Sequence, residues 1–345
     1  MSAWREVELQ GRRLRLTNLD RVLWPRAGFT KGQLIDYYLS VAPVLLPHLR
    51  GRPLTLGRWP RGVEERGFGM TECRGRPAWL RTRPLRLRDG RVRNYCAVED
   101  VPSLAWVANL GTIELHAYHF DAERPDEPTL VALDLDPGPG AGLLEACRAA
   151  LLLRELLDDL GLAGCPKTSA GAGIHVYVPL GLPHPAERTR ELARGLAATL
   201  AAERSDLITD DPRVPARRGR VLVDWLQSEP RRSTVAPYSL RATDLPAVST
   251  PVEWSELGAA VRSGDAGSLR FGPTDVLRRV ERRGDLFGAA LALRQTLAGP
   301  RLPARRRGRV GAPVSGEGES VRTSAATPPA GGFRRPGDGN DSGGG

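Results

Sequence analysis

Lysine is nearly missing from this 345-residue chain: Lys31 and Lys167 are the only two, although lysine and arginine together number 50. The cations are therefore almost all arginine, set against 40 acids and leaving a formal net charge of +10. Arginine keeps its proton in any protein setting, so the surplus is a permanent attraction for phosphate polyanions. A surplus of this size does not by itself separate a polyanionic partner from a merely solvated surface. Cysteine is scarce too, at Cys73, Cys96, Cys147 and Cys165, with no Cys-x-x-Cys pair. This argues against a zinc knuckle and, in a reducing compartment, against a disulfide framework, so the four are expected to be packing residues. No apolar run approaches the roughly 18 residues that a membrane span needs. The opening Met1-Ser-Ala-Trp-Arg-Glu-Val-Glu has no apolar stretch of the secretory kind. The expectation is a cytoplasmic protein with no membrane partner.

What is present suits a globular fold. Hydrophobic residues make up 41% of the chain, and its length allows one large domain or two medium ones with a real core. From about Gly299 the composition turns to Pro, Gly, Ser, Arg and Ala, including Arg305-Arg306-Arg307-Gly308-Arg309. Such a segment buries too little apolar surface to offset its ordering entropy, so residues 299–345 are expected to be a disordered basic tail. Residues 1–298 alternate helix and strand signals. Helical spacing of Leu34, Ile35, Tyr38, Val41 and Leu45 predicts a helix over 31–49, and a second is predicted over 143–160 with Gly161 as its C-cap. A third helix is predicted over 187–203. Strands are predicted over 130–136, 175–180 and 221–226. The Arg-rich stretches 61–94 and 205–220 read as surface loops.

The sharpest chemical signal is Leu133-Asp134-Leu135-Asp136-Pro137-Gly138. In a strand, Asp134 and Asp136 share a face about 7 Å apart, opposite Val131, Leu133 and Leu135. Two carboxylates so placed repel each other unless a cation lies between them, and hard divalent metals favour such oxygens. Two solvated acids in a turn would read the same way. In Val221-Leu-Val-Asp224-Trp-Leu-Gln227 an acid interrupts an apolar strand, and a buried carboxylate needs a cation or an open strand end. A third segment, Lys167-Thr-Ser169-Ala-Gly171-Ala-Gly173-Ile-His175, is a Ser/Gly loop that can offer amides to phosphates. It leads into a strand rather than a helix, which fits neither Walker A nor a dinucleotide fingerprint; a tight turn with a core histidine is the plainer alternative. In the fourth, Asn109 to His119, His116 and His119 form His-x-x-His, but no further ligand spacing supports a metal there.

In this order, the segments resemble the polymerase domain of bacterial ligase D, in the archaeo-eukaryotic primase superfamily. Asp134 and Asp136 are similar to that family's first acidic motif, Ser169 to His175 to its second and Asp224 to its third. The segment ending at His116, Thr234-Val-Ala-Pro-Tyr-Ser-Leu-Arg241 and Leu19-Asp-Arg21-Val-Leu-Trp-Pro resemble further signatures. The likeness covers about residues 8–260. It implies an α/β primase-polymerase fold, with a mixed central sheet flanked by helices and an N-terminal subdomain over about 1–115. A catalytic core over about 116–260 and a helical part to 298 would follow. It further implies template-directed nucleotidyl transfer to a primer 3′-hydroxyl at gaps or double-strand breaks, in end-joining or gap-filling repair. Two divalent ions, Mn2+ or Mg2+, would sit on Asp134, Asp136 and Asp224. His116, Ser169, His175, Gln227 and Arg241 match nucleotide-binding positions. Asn18, Arg21 and Lys31 match positions for a downstream 5′-phosphate, and Phe68 a template contact.

The implied partners are gapped or broken DNA, NTP or dNTP, a separate ATP-dependent DNA ligase and Ku, with the protein at the nucleoid. Two departures stand out: Ala172 lies where the family often has Lys or Arg, and Gly67-Phe-Gly-Met-Thr-Glu-Cys-Arg differs from ligase D proper. The latter segment resembles stand-alone actinobacterial members more, and Ala172 bears on how the triphosphate is neutralised. A weakly catalytic end-binding member that recruits a ligase, and a metal-dependent phosphohydrolase, are the competing readings.

Overall fold

Alternation along the strand Leu130–Pro137 organises the molecule. Val131, Leu133 and Leu135 belong to one buried apolar core, whereas Leu130 and Ala132 belong to another. Successive side chains of a strand point to opposite faces, so this strand divides the two cores. Asp134 and Asp136 continue the Leu130/Ala132 face. The computed structural model describes residues 4–297 except positions 88, 182, 183 and 230, so the tail expected over 299–345 lies outside the described residues. Among the described residues no helix is long and apolar enough to cross a membrane.

The first core packs the helices Lys31–Leu49 and Val101–Asn109 against a four-stranded antiparallel sheet. Its strands run in the order Ser233–Val235, Thr112–Tyr118, Leu54–Arg58 and Phe68–Met70. The second core lies on a five-stranded mixed sheet ordered Cys165–Thr168, Ile174–Pro179, Leu130–Pro137, Val221–Asp224 and Ile208–Thr209. Only the last pair is parallel. The helices Leu143–Asp159 and Ala186–Glu203 cover it. This is the mixed sheet flanked by helices that the sequence led us to expect.

Local chemistry explains the boundaries. Lys31–Leu49 starts at Thr30, whose hydroxyl accepts the Gln33 amide at 3.3 Å while Gln33 accepts the Thr30 amide at 2.8 Å, a reciprocal cap. Leu143–Asp159 is followed by Gly161 at φ +66°, a left-handed position where glycine avoids a Cβ penalty.

Four expectations need correction. The stretch 61–94 is not simply a surface loop: it holds the edge strand Phe68–Met70 and a hairpin of Thr82–Arg86 with Val92–Cys96. There Leu85, Tyr95 and Cys96 turn inward, too few apolar residues among the polar ones, and two of them adjacent, to show a strand periodicity. Likewise 205–220 holds the strand Ile208–Thr209 and the helical turn Val214–Arg217. Cys73 and Cys96 are joined by a disulfide with their Cα atoms 4.9 Å apart. The Cys73 amide donates to Asn94 O at 2.8 Å, which fixes the approach of two residues 23 apart in sequence. Cys147 and Cys165 are buried and free, as expected. Finally, the strand predicted over 221–226 stops at Asp224, whose carboxylate accepts the Leu226 amide at 3.0 Å and opens the 3-10 turn Trp225–Ser228.

Candidate active site

Backbone register assembles the site. Lys167 lies opposite His175, His175 opposite Asp134, and Asp134 opposite Asp224. Paired residues share a face with Cβ atoms about 4.5–5.5 Å apart. One rung across four strands therefore carries an amine, an imidazole and two carboxylates. Asp136 is one pleat further on, opposite Leu222. Its side chain is 50% exposed, against 24% for Asp134, so the face opens from Asp134 toward Asp136.

The rung is electrostatically loaded. Burial, then the charges of Asp136 and Asp224, push the Asp134 carboxyl up to about 7. Lys167 and Arg241 pull the other way without prevailing. Lys167 is fully buried; its Nζ donates to Ser249 Oγ at 2.8 Å and lies 3.0 Å from His175 Nδ1. Burial holds its pKa well below the ordinary lysine value. His175 Nε2 stands 3.4 Å from Asp134 Oδ1. A Cβ on Gly173 would come within 2.9 Å of Leu135 O and 3.6 Å of Asp134 Oδ1, so the loop passes the strand too closely for a side chain.

Among the described residues no group of three or more His, Cys, Asp and Glu is arranged to hold a metal ion, because the acids are turned onto protein partners. Asp136 Oδ2 takes Arg217 at 2.6 Å, and Asp224 Oδ2 takes the Gln227 amide at 2.6 Å. The loop amides expected to face phosphates are also engaged: those of Gly171 and Gly173 donate to Ser169 Oγ at 3.3 and 3.2 Å. His116 points to Glu114, with Nε2 2.7 Å from Oε2. His119 takes Thr234 instead, at 3.0 Å, so the two histidines do not converge.

Glu114 is the residue the sequence reading passed over. It is buried, its Oε1 lies 3.0 Å from Arg241 Nε, and the same oxygen accepts the Ala242 amide at 3.0 Å. Burial would raise its pKa, but Arg241, His116 and that amide hold it at about 2. An acid inside an apolar strand was the available signal, the one that flagged Asp224. Glu114 thus ties Arg241 and His116, on the four-stranded sheet's side, to the field of Asp134. Arg217 was missed as well, and its position in an Arg-rich run gave no signal.

A second cluster gathers Asn18, Arg21 and Lys31. Asn18 is left-handed at φ +54°, its carbonyl accepts the Arg21 amide at 3.1 Å, and Arg21 O accepts the Lys31 amide at 2.8 Å. Arg21 also donates to Pro60 O at 2.7 Å. Lys31 is buried at its helix N-terminus and donates to Thr17 O at 2.5 Å. Burial foremost, then Arg21 and Arg58, lower its pKa to about 8. Arg58 hydrogen-bonds Leu110 O at 3.0 and 2.9 Å, and its guanidinium lies 5.1 Å from the ring centre of Phe68. Phe68 is 46% exposed, so the ring stands on the surface beside these cations.

The family model described as "LigD, primase-polymerase domain" matches residues 30–287. The multifunctional non-homologous end joining protein LigD of Mycolicibacterium smegmatis is 38% identical over 278 residues, covering 80% of this chain and 36% of that protein. The bifunctional LigD of Bacillus subtilis is 28% identical over 250 residues, covering 72% of this chain and 40% of that protein. The chain thus spans little more than a third of these relatives' length. Among solved structures, the polymerase domain from Mycobacterium tuberculosis ligase D in complex with DNA aligns with TM-score 0.75 and 35% identity. That alignment covers 81% of this chain and 98% of that one.

Proposed function

Because the chain belongs to the LigD primase-polymerase family, and is a nucleotidyltransferase in kind, we propose that the Lys167–His175–Asp134–Asp224 rung is its catalytic face. In this reading a primer 3′-hydroxyl attacks the α-phosphate of an incoming nucleotide paired to a template base, and pyrophosphate leaves. The rung is the observation that carries it: backbone pairing alone brings Asp134 against Asp224 with Asp136 beside them. Three mutually repelling carboxylates are a donor set suited to hard divalent ions, Mn2+ or Mg2+. Bound on Asp134, Asp136 and Asp224, such ions would stabilise charge on the transferring phosphoryl group and favour the alkoxide of the primer. Arg217 and Gln227 hold those carboxylates meanwhile, and Gln227 would turn to the nucleotide.

The protein's own groups supply the rest. Arg241, braced by Glu114, offers a fixed fork to the triphosphate. His175 is oriented by Lys167 through its Nδ1, leaving Nε2 toward the reacting face. Ser169 and His116 would complete the nucleotide pocket, and Lys167 is held too deep to replace the charge that Ala172 lacks. Asn18, Arg21 and Lys31 would take the 5′-phosphate across a gap, and Phe68 would stack on the template. The domain would thus act on gapped or broken DNA with NTP or dNTP, working at the nucleoid beside Ku and a separate ATP-dependent ligase. The test is extension of a primer on a gapped duplex, with and without a 5′-phosphate, using ribo- and deoxyribonucleotides and each metal. Template-dependent addition supports the reading; cleavage of free nucleotide without extension would replace it with a phosphohydrolase.

A further inference from the structure

On the surface behind Arg241's strand is an open cavity of about 310 Å³ lined by Arg270, Phe271, Asp275, Arg278, Arg279 and Arg282. Four guanidinium groups face one carboxylate: Asp275 Oδ2 accepts the Gly272 amide at 3.0 Å, capping the helix Pro273–Arg283, and Arg282 Nε donates to Arg278 O at 3.2 Å, which leaves its terminal nitrogens toward the cavity side. Arg279 is spent. Glu256 grips it at 2.7 and 2.9 Å, Pro251 O takes it at 3.3 Å, and it lies 4.6 Å over the Phe271 ring. Glu253 and Glu256 also engage Arg283. Among the described residues Arg270, Arg278 and Arg282 have no ion pair.

Two features make this more than a solvated surface. Some exposed arginines pair with acids two to four positions away, as Arg61 does with Glu65, Arg148 with Glu145, Arg204 with Asp206 and Arg213 with Asp211, and others, such as Arg5, Arg12 and Arg66, stand singly on the surface. The cavity's three instead converge on one concave wall beside Phe271. Arg278 and Arg282 also stand four apart on one helical face, an arrangement of like charges that weakens a helix and that an anion between them relieves. The cavity has a rigid floor as well, since Phe271 O accepts the Val248 amide at 3.0 Å and Ala247–Val248 pairs with Leu240–Arg241. A strand and its turn thus connect Arg241 to the cavity wall.

We propose that Arg270, Arg278 and Arg282 form a second anion site that grips the phosphodiester backbone of a nucleic-acid strand outside the catalytic face. The site suits phosphate rather than base, because its lining is mainly guanidinium charge and forked donors. It extends the functional reading above but does not need catalysis. The probe is a fluorescent gapped duplex titrated at several salt concentrations with the wild type and with Arg278→Ala/Arg282→Ala. Each lost phosphate contact lowers the log–log salt slope by about 0.9, so the double variant is expected to lose about 2 from its slope. Affinity at low salt should fall by roughly tenfold or more. Arg278→Lys/Arg282→Lys should keep most of the slope, which separates lost charge from a damaged helix. Arg204→Ala/Arg213→Ala, removing the same charge from paired positions, should leave it almost unchanged. The proposal is overturned if the alanine pair leaves the slope intact, or if the Arg204/Arg213 control lowers it equally. It is likewise overturned if DNA binding holds and only the KM for free nucleotide rises, which would make the anion a triphosphate. Primer extension by the same samples keeps the two claims apart: extension with an unchanged slope sinks this site alone, and a reduced slope without extension in the wild type sinks the catalytic reading alone.

Discussion

Replacing Glu114, a buried and fully engaged carboxylate, should destabilise the fold strongly. Its carboxylate has three partners, Arg241, His116 and the Ala242 amide, and almost no water. They hold its pKa at about 2, from an ordinary 4.5; at 1.36 kcal/mol per pKa unit this corresponds to about 3 kcal/mol of stability at neutral pH. Breaking a buried ion pair from one side costs about 3–5 kcal/mol on independent grounds. Glu114→Ala should therefore lower the unfolding free energy by about 3–4 kcal/mol, out of the roughly 5–15 kcal/mol typical of a whole domain. Glu114→Gln keeps the shape and should cost roughly half of that. The sign with pH follows from the depressed carboxyl: the stabilisation is full above about pH 4.5 and is lost as pH falls toward 2. Urea denaturation at pH 7 and again at pH 3 measures both. The difference between wild type and Glu114→Gln should shrink at the lower pH, and any active variant should show a raised KM for nucleotide because Arg241 has lost its brace. Equal urea midpoints with equal slopes at pH 7 would refute the reasoning.

Other outcomes are as specific. Asp136→Ala should abolish nucleotide addition in a primer-extension assay while leaving gapped-DNA binding largely intact, since ions on these acids act on the transferring phosphate more than on the duplex; full extension would sink the assignment. Arg21→Ala/Lys31→Ala should weaken binding of a 5′-phosphorylated gap by about 1–3 kcal/mol in fluorescence titrations. The 5′-hydroxyl form should change much less, and equal losses would reduce the pair to general attraction. Lys31 sits near pKa 8, so the preference for a 5′-phosphate should decline as pH rises through 8; the protein itself gains stability from there toward 10.5, where the unfolded chain still holds the proton. Gly173→Ala should lower the thermal midpoint by forcing the loop off Leu135 O, at a cost of about 1–3 kcal/mol; an unchanged midpoint in calorimetry would show that the approach is not tight.

Much of this was legible in the sequence because periodicity carries it. The helix predicted over 31–49 forms as Lys31–Leu49, since its apolar stripe and the Thr30/Gln33 cap agree. The Asp pair stands on the face opposite Leu133 and Leu135, as alternation required. What stayed hidden depends on distance through space. No sequence pattern joins Cys73 to Cys96, or Glu114 to Arg241. The hairpin of Thr82–Arg86 and Val92–Cys96 was hidden because its inward residues, Leu85, Tyr95 and Cys96, are few and do not alternate, and its outward ones, Pro84, Arg86, Val92 and Asn94, follow no pattern. The engaged acids were illegible for another reason: Arg217 and Gln227 are ordinary polar residues until the fold delivers them.

The shared strand at the centre has a consequence of parity. Leu130–Pro137 feeds an oily interior with its odd positions and the reacting face with Asp134 and Asp136. Removing or adding one residue ahead of Leu133 would exchange the two sets, sending carboxylates into the oil and leucines toward the substrate. Changes in the loops at either end can come in any length, but inside the strand only even steps conserve both roles. Variation in the length of this domain is therefore expected to be free at the loop ends and quantised in twos along its middle.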